Sequence, residues 1–500
     1  MEDPARRTRE LTPGARALRW TAELPWWAPL AGLLAAAVVV RFSTLTLQSL
    51  WYDEAFTPVH VLHPSLGATL SSVVHSENTP PLWYLLEWVL TRILGTGVVA
   101  LRLLSAGAGV ALVGVGWAIG GELGGRRSAT ILAGVIAVNP LFVWYSQEAR
   151  AYELYALLAA LGVLCFLRVR RDPNPRALAL WAAASIAALL THYFAVFLIA
   201  PQALLLLRPR DRVRAAVAIA AIAAVAIALI PLVLAQGGHG TQWIGRWPLS
   251  QRVIQIAGYY LLGTNGIVLG HGLLLLSALP VLSAVVLVAL RPPDERRPAL
   301  EILAVGVVAI ALPFVLALAG ADYLAPRNLI ADYVPLSAAL AAGLGSRAVG
   351  RAGLATAAVV CLAGAAVVTA TDLDSRLQRG DWSALAAAIR DAPRAHAIVT
   401  VEDGATPLEY YLPHARLRYL SVHARIAVRE VDLVGYAPLR ADPAHPPTPA
   451  FTSAGKVDVH GLLVYRFTAS HAQGISGRFL RSLAITDGQP SEVIAPASAR

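Results

Sequence analysis

Residues 213–235, VRAAVAIAAIAAVAIALIPLVLA, contain one charged side chain, Arg214, and are otherwise alanine, valine, isoleucine, leucine and a single proline. A helix needs about 20 consecutive apolar residues to cross the hydrocarbon core of a bilayer, so this run is predicted to be a membrane span. Similar runs recur along the chain, which is 57% hydrophobic and 14% charged, whereas soluble domains average about 25% charged residues. The sequence therefore predicts an all-α polytopic membrane protein.

The apolar runs divide the first three quarters of the chain into eleven predicted spans. They are 28–47, 101–120, 128–145, 152–168, 178–191, 194–208, 213–235, 266–290, 300–320, 329–346 and 351–371. Residues 1–27 lack the short apolar segment and cleavage site of a signal peptide, so the first run is expected to be a retained span.

Arginines gather in every second loop between these runs, which is the pattern of loops that stay in the cytoplasm. The basic segments are the N-terminal tail 1–27, then 124–127, 168–176, 208–214, 291–298 and 346–351. This distribution accounts for the net charge of +10 without nucleic-acid binding. It also predicts that a second set of segments lies on the extracytoplasmic face. They are 48–100, 147–153, 191–194, 236–265 and 321–333.

After residue 372 the composition changes to that of a small α/β domain, predicted to be extracytoplasmic. We expect strands at 396–401, 415–420 and 460–469, and a short helix at 406–412. Residues 381–392 read as an amphipathic helix with Asp381 as its N-cap. The predicted division is thus a tail (1–27), a transmembrane domain (28–371) and a C-terminal domain (372–500), whose last dozen residues are expected to be mobile.

The first outer loop, 48–100, is too long for an ordinary connector between helices. It carries Asp53 and Glu54 in LWYDEAFTPVH, and a second polar cluster, His75 and Glu77, in HSEN. Segments 65–78 and 79–95 are expected to be helices lying at the membrane surface. One interpretation of Asp53 and Glu54 is a solvated pair of carboxylates at a helix end. The other is that one of them faces a carboxylate from another part of the loop, which would raise its pKa toward that of a general base.

The arginines at the predicted outer face, against the positive-inside bias, include Arg41, Arg102, Arg150 and Arg327. Arginine beside the hydrocarbon marks a functional site or a buried partner. One interpretation is an anionic ligand, because a guanidinium matches phosphate in a bidentate manner. The other is pairing with Asp53, Glu77 or Glu148.

His192 and Tyr193 interrupt an apolar stretch at the same face, where a structural hydrogen-bonding role is the simpler interpretation. A divalent cation held by Asp53, Glu77 and either His75 or His192 stays open as a cofactor, since no spacing in the sequence is specific for one. Cys165 and Cys361 lie inside apolar runs and indicate neither a disulfide nor a metal motif.

Several of these segments, taken in order, resemble the GT-C superfamily of integral-membrane glycosyltransferases. The resemblance is to bacterial relatives of protein O-mannosyltransferases and of the enzyme that adds aminoarabinose to lipid A. It covers roughly residues 28–335. The matching motifs are LWYDEAFT (50–57), HSENTPPLWYLL (75–86), LRLLS (101–105), YSQEARAYELYALL (145–158) and THYFA (191–195).

The resemblance implies transfer of a sugar from a polyprenyl-phosphate carrier to a cell-envelope polysaccharide, glycolipid or protein, with inversion. Asp53 would be the general base, with Glu54 and Glu77 positioning substrate or orienting a metal. Arg102, Arg150 and Arg327 would hold the lipid phosphate. Further substrate-binding candidates at the same face are Arg41, His75, Glu148, Tyr152, His192 and Tyr193.

A transporter or flippase for an anionic or lipid-linked substrate is the alternative function. It predicts charges near the middle of spans and paired inverted repeats, whereas the predicted spans are nearly free of charge at their centres. The single lysine, Lys456, together with heavy use of alanine and arginine, is consistent with a GC-rich bacterial genome. The predicted location is therefore a bacterial plasma membrane.

Overall fold

The computed structural model describes residue 25 and residues 27–207, 212–241, 243–263, 283, 285–289, 291–389, 396–436, 444–485 and 490–496. The predicted N-terminal tail before residue 25 and nearly all of the predicted span 266–290 lie outside these residues.

The described part of residues 25–373 is helical, with short 3₁₀ segments at Ile244–Arg246 and Pro326–Asp332 and a π-helical turn at Thr57–Val61. The helices are α1 (Ala28–Phe42), α2 (Tyr52–Phe56), α3 (Leu66–Ser76), α4 (Leu82–Leu94), α5 (Val98–Val138), α6 (Pro140–Ser146), α7 (Tyr152–Arg171), α8 (Pro175–Leu189), α9 (Ala195–Leu206), α10 (Arg212–Gln236), α11 (Leu249–Leu262), α12 (Pro293–Leu318), α13 (Tyr333–Leu344) and α14 (Gly350–Leu373).

Five helices of the described chain are long and apolar enough to cross a membrane: α5, α7, α10, α12 and α14. Three further apolar helices, α1, α8 and α9, are shorter. A helical, multi-pass membrane protein is thus confirmed, whereas the count of eleven spans stays a prediction. Helix α13 is buried along its whole length and packs between α5 and α12, which places it in the centre of the bundle.

Helix α5 contains the predicted span 101–120 and the first part of the predicted span 128–145, which ends in α6, and a sharp break separates the two. At the break, Gly124 and Gly125 leave the helical conformation, and Gly125 adopts a φ of 68°. Glycine reaches this left-handed region without the steric penalty that a Cβ would bring. The two limbs therefore double back at the predicted basic loop 124–127, as a pair of spans should.

Four of the predicted basic segments meet at one end of the bundle. Arg168 and Arg171 both bind Glu122. Arg291 donates to the carbonyl oxygens of Leu123 and Ala342, so it joins the segments beside 124–127, 291–298 and 346–351. This common end is the geometry that the predicted topology requires.

The first outer loop forms the two predicted helices. Ser65 caps α3 by accepting from the backbone N–H of Ala68 at 3.2 Å, and α4 begins directly after the Pro80–Pro81 pair. Helix α4 ends at Gly95, where φ is 80°. Helix α3 packs against α4 and α10. That the two helices lie on the membrane surface stays a prediction.

The described C-terminal residues form a six-stranded sheet in the order β2-β6-β1-β3-β5-β4, with helices beside it. Strands β1 and β3 are parallel, and the other neighbours are antiparallel. The elements are α15 (Trp382–Ile389), β1 (His396–Val401), α16 (Ala405–Tyr411), β2 (Leu417–Tyr419), β3 (Arg425–Tyr436), β4 (Phe451–Val459), β5 (Leu462–Ser476), α17 (Gly477–Ser482) and β6 (Ser491–Pro496).

The expectation of a mobile C-terminal end was wrong for residues 491–496. These residues form β6, which lies between β1 and β2 and pairs with both. Val493, Ile494 and Ala495 are buried, so the sheet loses a central strand and part of its core without them. The predicted strands at 396–401, 415–420 and 460–469 are present as β1, β2 and the first half of β5. Asp381 accepts from the N–H of Ala384 at 3.0 Å, as its predicted capping role requires.

The C-terminal domain docks on the first outer loop through α16. The backbone N–H of Leu50 donates to the hydroxyl of Tyr411 at 2.7 Å, and the hydroxyl of Tyr410 donates to the carbonyl oxygen of Thr96 at 2.8 Å. The Trp51 ring packs against the hydrophobic core of the domain, which contains Trp382. The C-terminal domain therefore holds Leu50 and Trp51, which lie just before Asp53 in the sequence.

We predict that Gly120→Ala destabilises the bundle, whereas Gly121→Ala does not. A Cβ at Gly120 would lie 2.5 Å from the carbonyl oxygen of Ser128 and 2.7 Å from the Cα of Ala129, so the two limbs of α5 would have to separate. Overpacking of this kind costs about 1–3 kcal/mol. A Cβ at Gly121 meets nothing within 4 Å, and alanine favours helix by about 1 kcal/mol. Thermal unfolding in lipid nanodiscs measures both variants, and equal effects would contradict the packing described here.

Candidate active site

Asp53 and Glu54 lie in the first turn of α2, a helix of 5 residues. Successive side chains of a helix point about 100° apart, since the helix has about 3.6 residues per turn. The Glu54 side chain is fully buried, whereas 22% of the Asp53 side chain is exposed. The two adjacent carboxylates therefore meet different partners.

Glu54 forms a two-pronged ion pair with Arg102 of α5. The Nε and Nη2 atoms of Arg102 donate to the two carboxylate oxygens at 2.8 and 2.7 Å, and the N–H of Ala149 adds a bond of 2.9 Å. The remaining donors of Arg102 bind the carbonyl oxygens of Leu45, Gln48 and Ser49. A guanidinium has five N–H donors, and all of them are used here.

The environment of Glu54 keeps it ionised. Burial alone would raise the pKa of this carboxyl group, but the charges of Arg102 and Arg379 and the hydrogen bonds outweigh burial and lower it. Because no donor of Arg102 is left over, this arrangement does not favour the predicted role of Arg102 in holding a phosphate. Arg102 instead fastens the first outer loop to α5.

Asp53 pairs with Arg327, which sequence analysis had placed at the same face. The Nη1 atom of Arg327 lies 2.7 Å from Oδ2 of Asp53. The guanidinium also stacks over the rings of Trp243 and Tyr152, at 4.7 and 5.7 Å from their centroids. Arg327 lies in the 3₁₀ segment before α13, so this contact joins residues 274 positions apart.

Arg150 joins two of the motifs found in the sequence. Its Nη1 and Nη2 atoms bind Glu77 at 3.2 and 3.1 Å, and Nη1 also donates to the carbonyl oxygen of Asp53 at 3.4 Å. The motifs that contain Glu77, Asp53 and Arg150 therefore meet at one place.

Glu148 is buried beside these pairs. One oxygen binds Arg379, and the other has no hydrogen-bond partner among the described residues. Burial raises the pKa of Glu148 to about 7; the charge of Arg379 opposes this rise and those of Glu54 and Asp53 add to it. Arg379 lies outside all of the sequence motifs and was not among the predicted site residues. The available signal was an arginine two residues before the predicted cap Asp381, in a segment predicted to lie on the outer face.

Arg41 and His75, both predicted to bind substrate, make other contacts. Arg41 donates to the carbonyl oxygens of Ile136 and Ala137 at 3.1 and 2.8 Å, and so caps the C-terminal end of α5. His75 is exposed and its ring bonds to the carbonyl oxygen of Ser71. The structure does not bring either of them to Asp53.

His192 and Tyr193 lie together with Tyr152 at a cavity. The His192 ring stacks on the Tyr155 ring with 4.8 Å between their centroids, and its centroid lies 5.8 Å from that of the Tyr152 ring. Burial, with the charges of Arg327 and Arg150, lowers the pKa of His192 to about 3, so the ring is neutral. The hydroxyl of Tyr193 donates to Gln236 at 2.7 Å.

The cavity has a volume of about 260 Å³ and runs from Arg327 between α9, α10 and α12. Tyr152, His192, Tyr193 and Arg327 form its polar end. The remaining wall is mostly apolar and includes Val196, Phe197, Val233, Pro313 and Leu316. A chamber with a single cation among its described lining residues, a polar end and mostly apolar walls suits an amphipathic anion.

Potential metal ligands of the described chain come together in the C-terminal sheet, where His396, Glu430 and Asp432 are buried side by side. Arg466 already neutralises both carboxylates, at 3.1 and 2.9 Å, so we interpret the group as an ion-pair cluster. Asp53, Glu77, His75 and His192 do not form a ligand group within the ranges that the structure covers.

The family of dolichyl-phosphate-mannose-protein mannosyltransferases matches residues 78–235, about a third of the chain. This region contains Arg102, Glu148, Arg150 and His192. A search among curated proteins gives no significant match to the sequence.

Two solved structures are similar to this chain. ArnT from Cupriavidus metallidurans, bound to undecaprenyl phosphate, is 13% identical with a TM-score of 0.52, and the match covers 88% of this chain and 98% of that one. The oligosaccharyltransferase AglB from Archaeoglobus fulgidus, in complex with an inhibitory peptide and a dolichol phosphate, is 14% identical with a TM-score of 0.47, covering 79% and 60%. The family match and the ArnT fold confirm the GT-C resemblance seen in the sequence.

We predict that Glu54→Gln lowers the free energy of unfolding by about 3–5 kcal/mol, because it leaves the buried charge of Arg102 uncompensated. Glu402→Gln is the control, since Glu402 pairs with Arg246 and both side chains are at least 40% exposed; an exposed pair contributes about 0–1 kcal/mol. Denaturant unfolding followed by tryptophan fluorescence compares the two. Similar losses in both variants would contradict the structural role given to Glu54.

Proposed function

We propose that this chain, a membrane protein with the fold and sequence signature of the GT-C glycosyltransferase superfamily, transfers a sugar from a polyprenyl-phosphate donor. The acceptor is a hydroxyl group on a cell-envelope polysaccharide, a glycolipid or a protein. Asp53 is the general base and the transfer inverts the anomeric carbon. The reaction takes place at the extracytoplasmic face of a bacterial plasma membrane, with residues 1–27 in the cytoplasm and residues 372–500 outside.

The position of Arg327 is the observation that carries this proposal. Arg327 lines the cavity and also holds Asp53 at 2.7 Å, so the only cation among the described cavity residues lies directly beside the partly exposed carboxylate. An anionic ligand in the cavity would place its charged group against Arg327 and its reactive atom near Asp53.

The apolar wall of the cavity fits a lipid carrier. Val196, Val233 and Leu316 line it, and each is at least 41% exposed on the outer surface of the bundle. Since a bilayer surrounds that surface, a polyprenyl tail can extend from the cavity into the lipid without meeting water. The ArnT structure, which shares this fold, was solved with undecaprenyl phosphate, a lipid of the class proposed here.

The proposed reaction is a single displacement at the anomeric carbon. The phosphate of the donor competes with Asp53 for Arg327, which frees the carboxylate. Asp53 then takes the proton of the acceptor hydroxyl while the acceptor oxygen bonds to the anomeric carbon and the bond to the phosphate oxygen breaks. Polyprenyl phosphate leaves, and Arg327 stabilises the charge that develops on it. Arg150, held by Glu77, fixes the backbone of Asp53 through its carbonyl oxygen.

We predict that Asp53→Asn keeps donor binding and lowers turnover by about 10²–10⁴-fold, the usual contribution of a general base. The asparagine keeps the size of the side chain but cannot accept the proton. Purified protein in lipid, supplied with radiolabelled polyprenyl-phosphate sugars, gives binding and turnover separately. Asp458→Asn, on the exposed strand β4, is the control. Turnover that survives in Asp53→Asn would exclude this residue as the base, and absence of donor binding by the wild type would exclude the proposed donor.

The cavity generates a second prediction, that Leu316→Trp raises the KM for long-chain donors by roughly tenfold, or about 1.4 kcal/mol. The larger ring would fill the space assigned to the lipid chain. Leu318→Trp is the matched control, because Leu318 lies on the same helix, is 64% exposed and is not part of the cavity wall. Steady-state assays with long and short polyprenyl donors measure the effect. An equal change for both chain lengths would contradict tail binding in this cavity.

A further inference from the structure

Arg379 reaches the candidate active site from a part of the chain that contains none of the sequence motifs. It belongs to residues 374–381, which join the last helix of the bundle, α14, to α15 of the C-terminal domain. We call these eight residues the linking segment. Its path brings a cation from the C-terminal part of the protein to carboxylates of the membrane part.

Backbone contacts hold the linking segment against the first outer loop. The N–H of Arg379 donates to the side chain of Gln48 at 3.0 Å. Ser49 donates to the carbonyl oxygen of Gly380 and accepts from the N–H of Trp382 at 2.9 Å. A Cβ at Gly380 would lie 2.7 Å from the buried Leu462, so only glycine fits there without a shift. These contacts fix the backbone at Arg379 and directly after it.

The guanidinium of Arg379 lies between two aromatic rings and binds two carboxylates. Its central carbon lies 4.3 Å from the Trp144 ring centroid and 5.1 Å from that of Trp51. Nη1 binds Glu54 at 3.1 Å and Nη2 binds Glu148. The side chain is 8% exposed, so these interactions are sheltered from water and are little screened.

The two carboxylates do not depend on Arg379 equally. Glu54 also has Arg102 and the N–H of Ala149. For the Glu148 side chain, the bond from Arg379 is the only hydrogen bond in the described part of the chain, and its other oxygen has no hydrogen-bond partner there. Loss of Arg379 would therefore destabilise the ionised form of Glu148 more than that of Glu54.

We propose that Arg379 is a positioning residue of the transfer reaction, which holds Glu148 as a carboxylate beside Asp53 and so makes the linking segment part of the active site. This inference rests on the proposed function. A negative charge on Glu148 favours proton transfer to Asp53 once Arg327 has moved to the donor phosphate. A neutral Glu148 would not.

The charged groups that act on Glu148 come from four elements, and Arg102 is the one that α5 contributes. Asp53 and Glu54 of α2 oppose its ionisation, whereas Arg379 and Arg327 favour it. Removing Arg379 therefore takes away the one cation that binds Glu148 directly while both neighbouring carboxylates remain, and burial then favours the protonated form further. Loss of Arg379 would thus raise the pKa of Glu148 above its present value of about 7 and increase the protonated fraction at neutral pH.

The test compares Arg379→Gln with the wild type over a range of pH, using donor turnover in lipid. We expect Arg379→Gln to lose about fivefold or more of its turnover at neutral pH, since a rise of one unit from a pKa of about 7 lowers the ionised fraction of Glu148 from about one half to about one tenth. The acid limb of its pH profile moves to higher pH, and raising the pH restores activity. Arg376→Gln is the matched control, because Arg376 lies in the same segment but is 86% exposed. An unshifted acid limb in Arg379→Gln would overturn the proposal.

A double variant tests whether Arg379 acts through Glu148. If it does, Arg379→Gln combined with Glu148→Gln is no more impaired than Glu148→Gln alone, since the group to be held is absent. Effects that multiply would assign Arg379 a separate role and overturn the proposal. Arg379→Lys covers failure of the glutamine variant to fold: it keeps the charge, so it should keep the wild-type pH profile at reduced kcat. A shifted profile in this variant would count against a charge effect.

A measurement without turnover separates this inference from the proposed function. Infrared difference spectra record the protonated carboxyl band of Glu148, identified by its loss in Glu148→Gln, as the pH is changed. In Arg379→Gln the band should persist to higher pH than in the wild type and in Arg376→Gln. If the wild type turns over no polyprenyl-phosphate donor but the band shifts as expected, the proposed function fails while the link between Arg379 and Glu148 stands. An unshifted band would refute the link itself.

Discussion

The ion pair between Glu54 and Arg102 is the interaction on which the rest of the site depends. Both side chains are at most 1% exposed, and a buried charge that loses its partner is strongly destabilising. Arg102 also holds three backbone carbonyl oxygens of the loop before α2. The path of residues 45–54 is thereby fixed against α5. Asp53, one residue before Glu54, is consequently turned outward, where it can meet Arg327 and a substrate.

Helices and their order could be predicted from the sequence because they depend on local patterns. The apolar run 213–235 became α10 within a residue or two, and the strand 396–401 was predicted with its observed bounds. Strand β6 was missed for the opposite reason. Ser491–Pro496 is short, and its stability comes from pairing with β1, nearly a hundred residues earlier. No local pattern encodes such a partner.

The same distinction between local patterns and tertiary contacts applies to the site residues. Asp53, Glu77, Arg150 and Arg327 could be predicted to converge, since each lies in a segment that the arginine distribution places on one face. Their individual partners could not. A buried arginine looks the same in sequence whether it binds a phosphate or a carboxylate, so Arg102 was expected to do the first and does the second. Arg379 lies in a segment that was interpreted only for its secondary structure, and its role depends on a tertiary contact.

Four carboxylates of the site each pair with an arginine from a different part of the chain: Asp53 with Arg327, Glu54 with Arg102, Glu77 with Arg150 and Glu148 with Arg379. In the last three pairs no side chain is more than 12% exposed. In the pair of Asp53 the values are 22% and 19%.

This difference in exposure distinguishes Asp53 and Arg327, the pair proposed to react, from the other three ion pairs. Breaking a buried ion pair leaves an unsolvated charge, whereas an exposed pair contributes little because water replaces the lost partner. In the proposed reaction, a donor phosphate would therefore displace Asp53 from Arg327 more easily than it would displace any of the other three carboxylates from its arginine. The buried pairs hold the first outer loop, residues 147–153 and the linking segment in place, whereas the more accessible pair of Asp53 and Arg327 can change partners. The different burial of the four ion pairs thus accounts both for the fixed geometry of the site and for the position of the proposed reaction at Asp53.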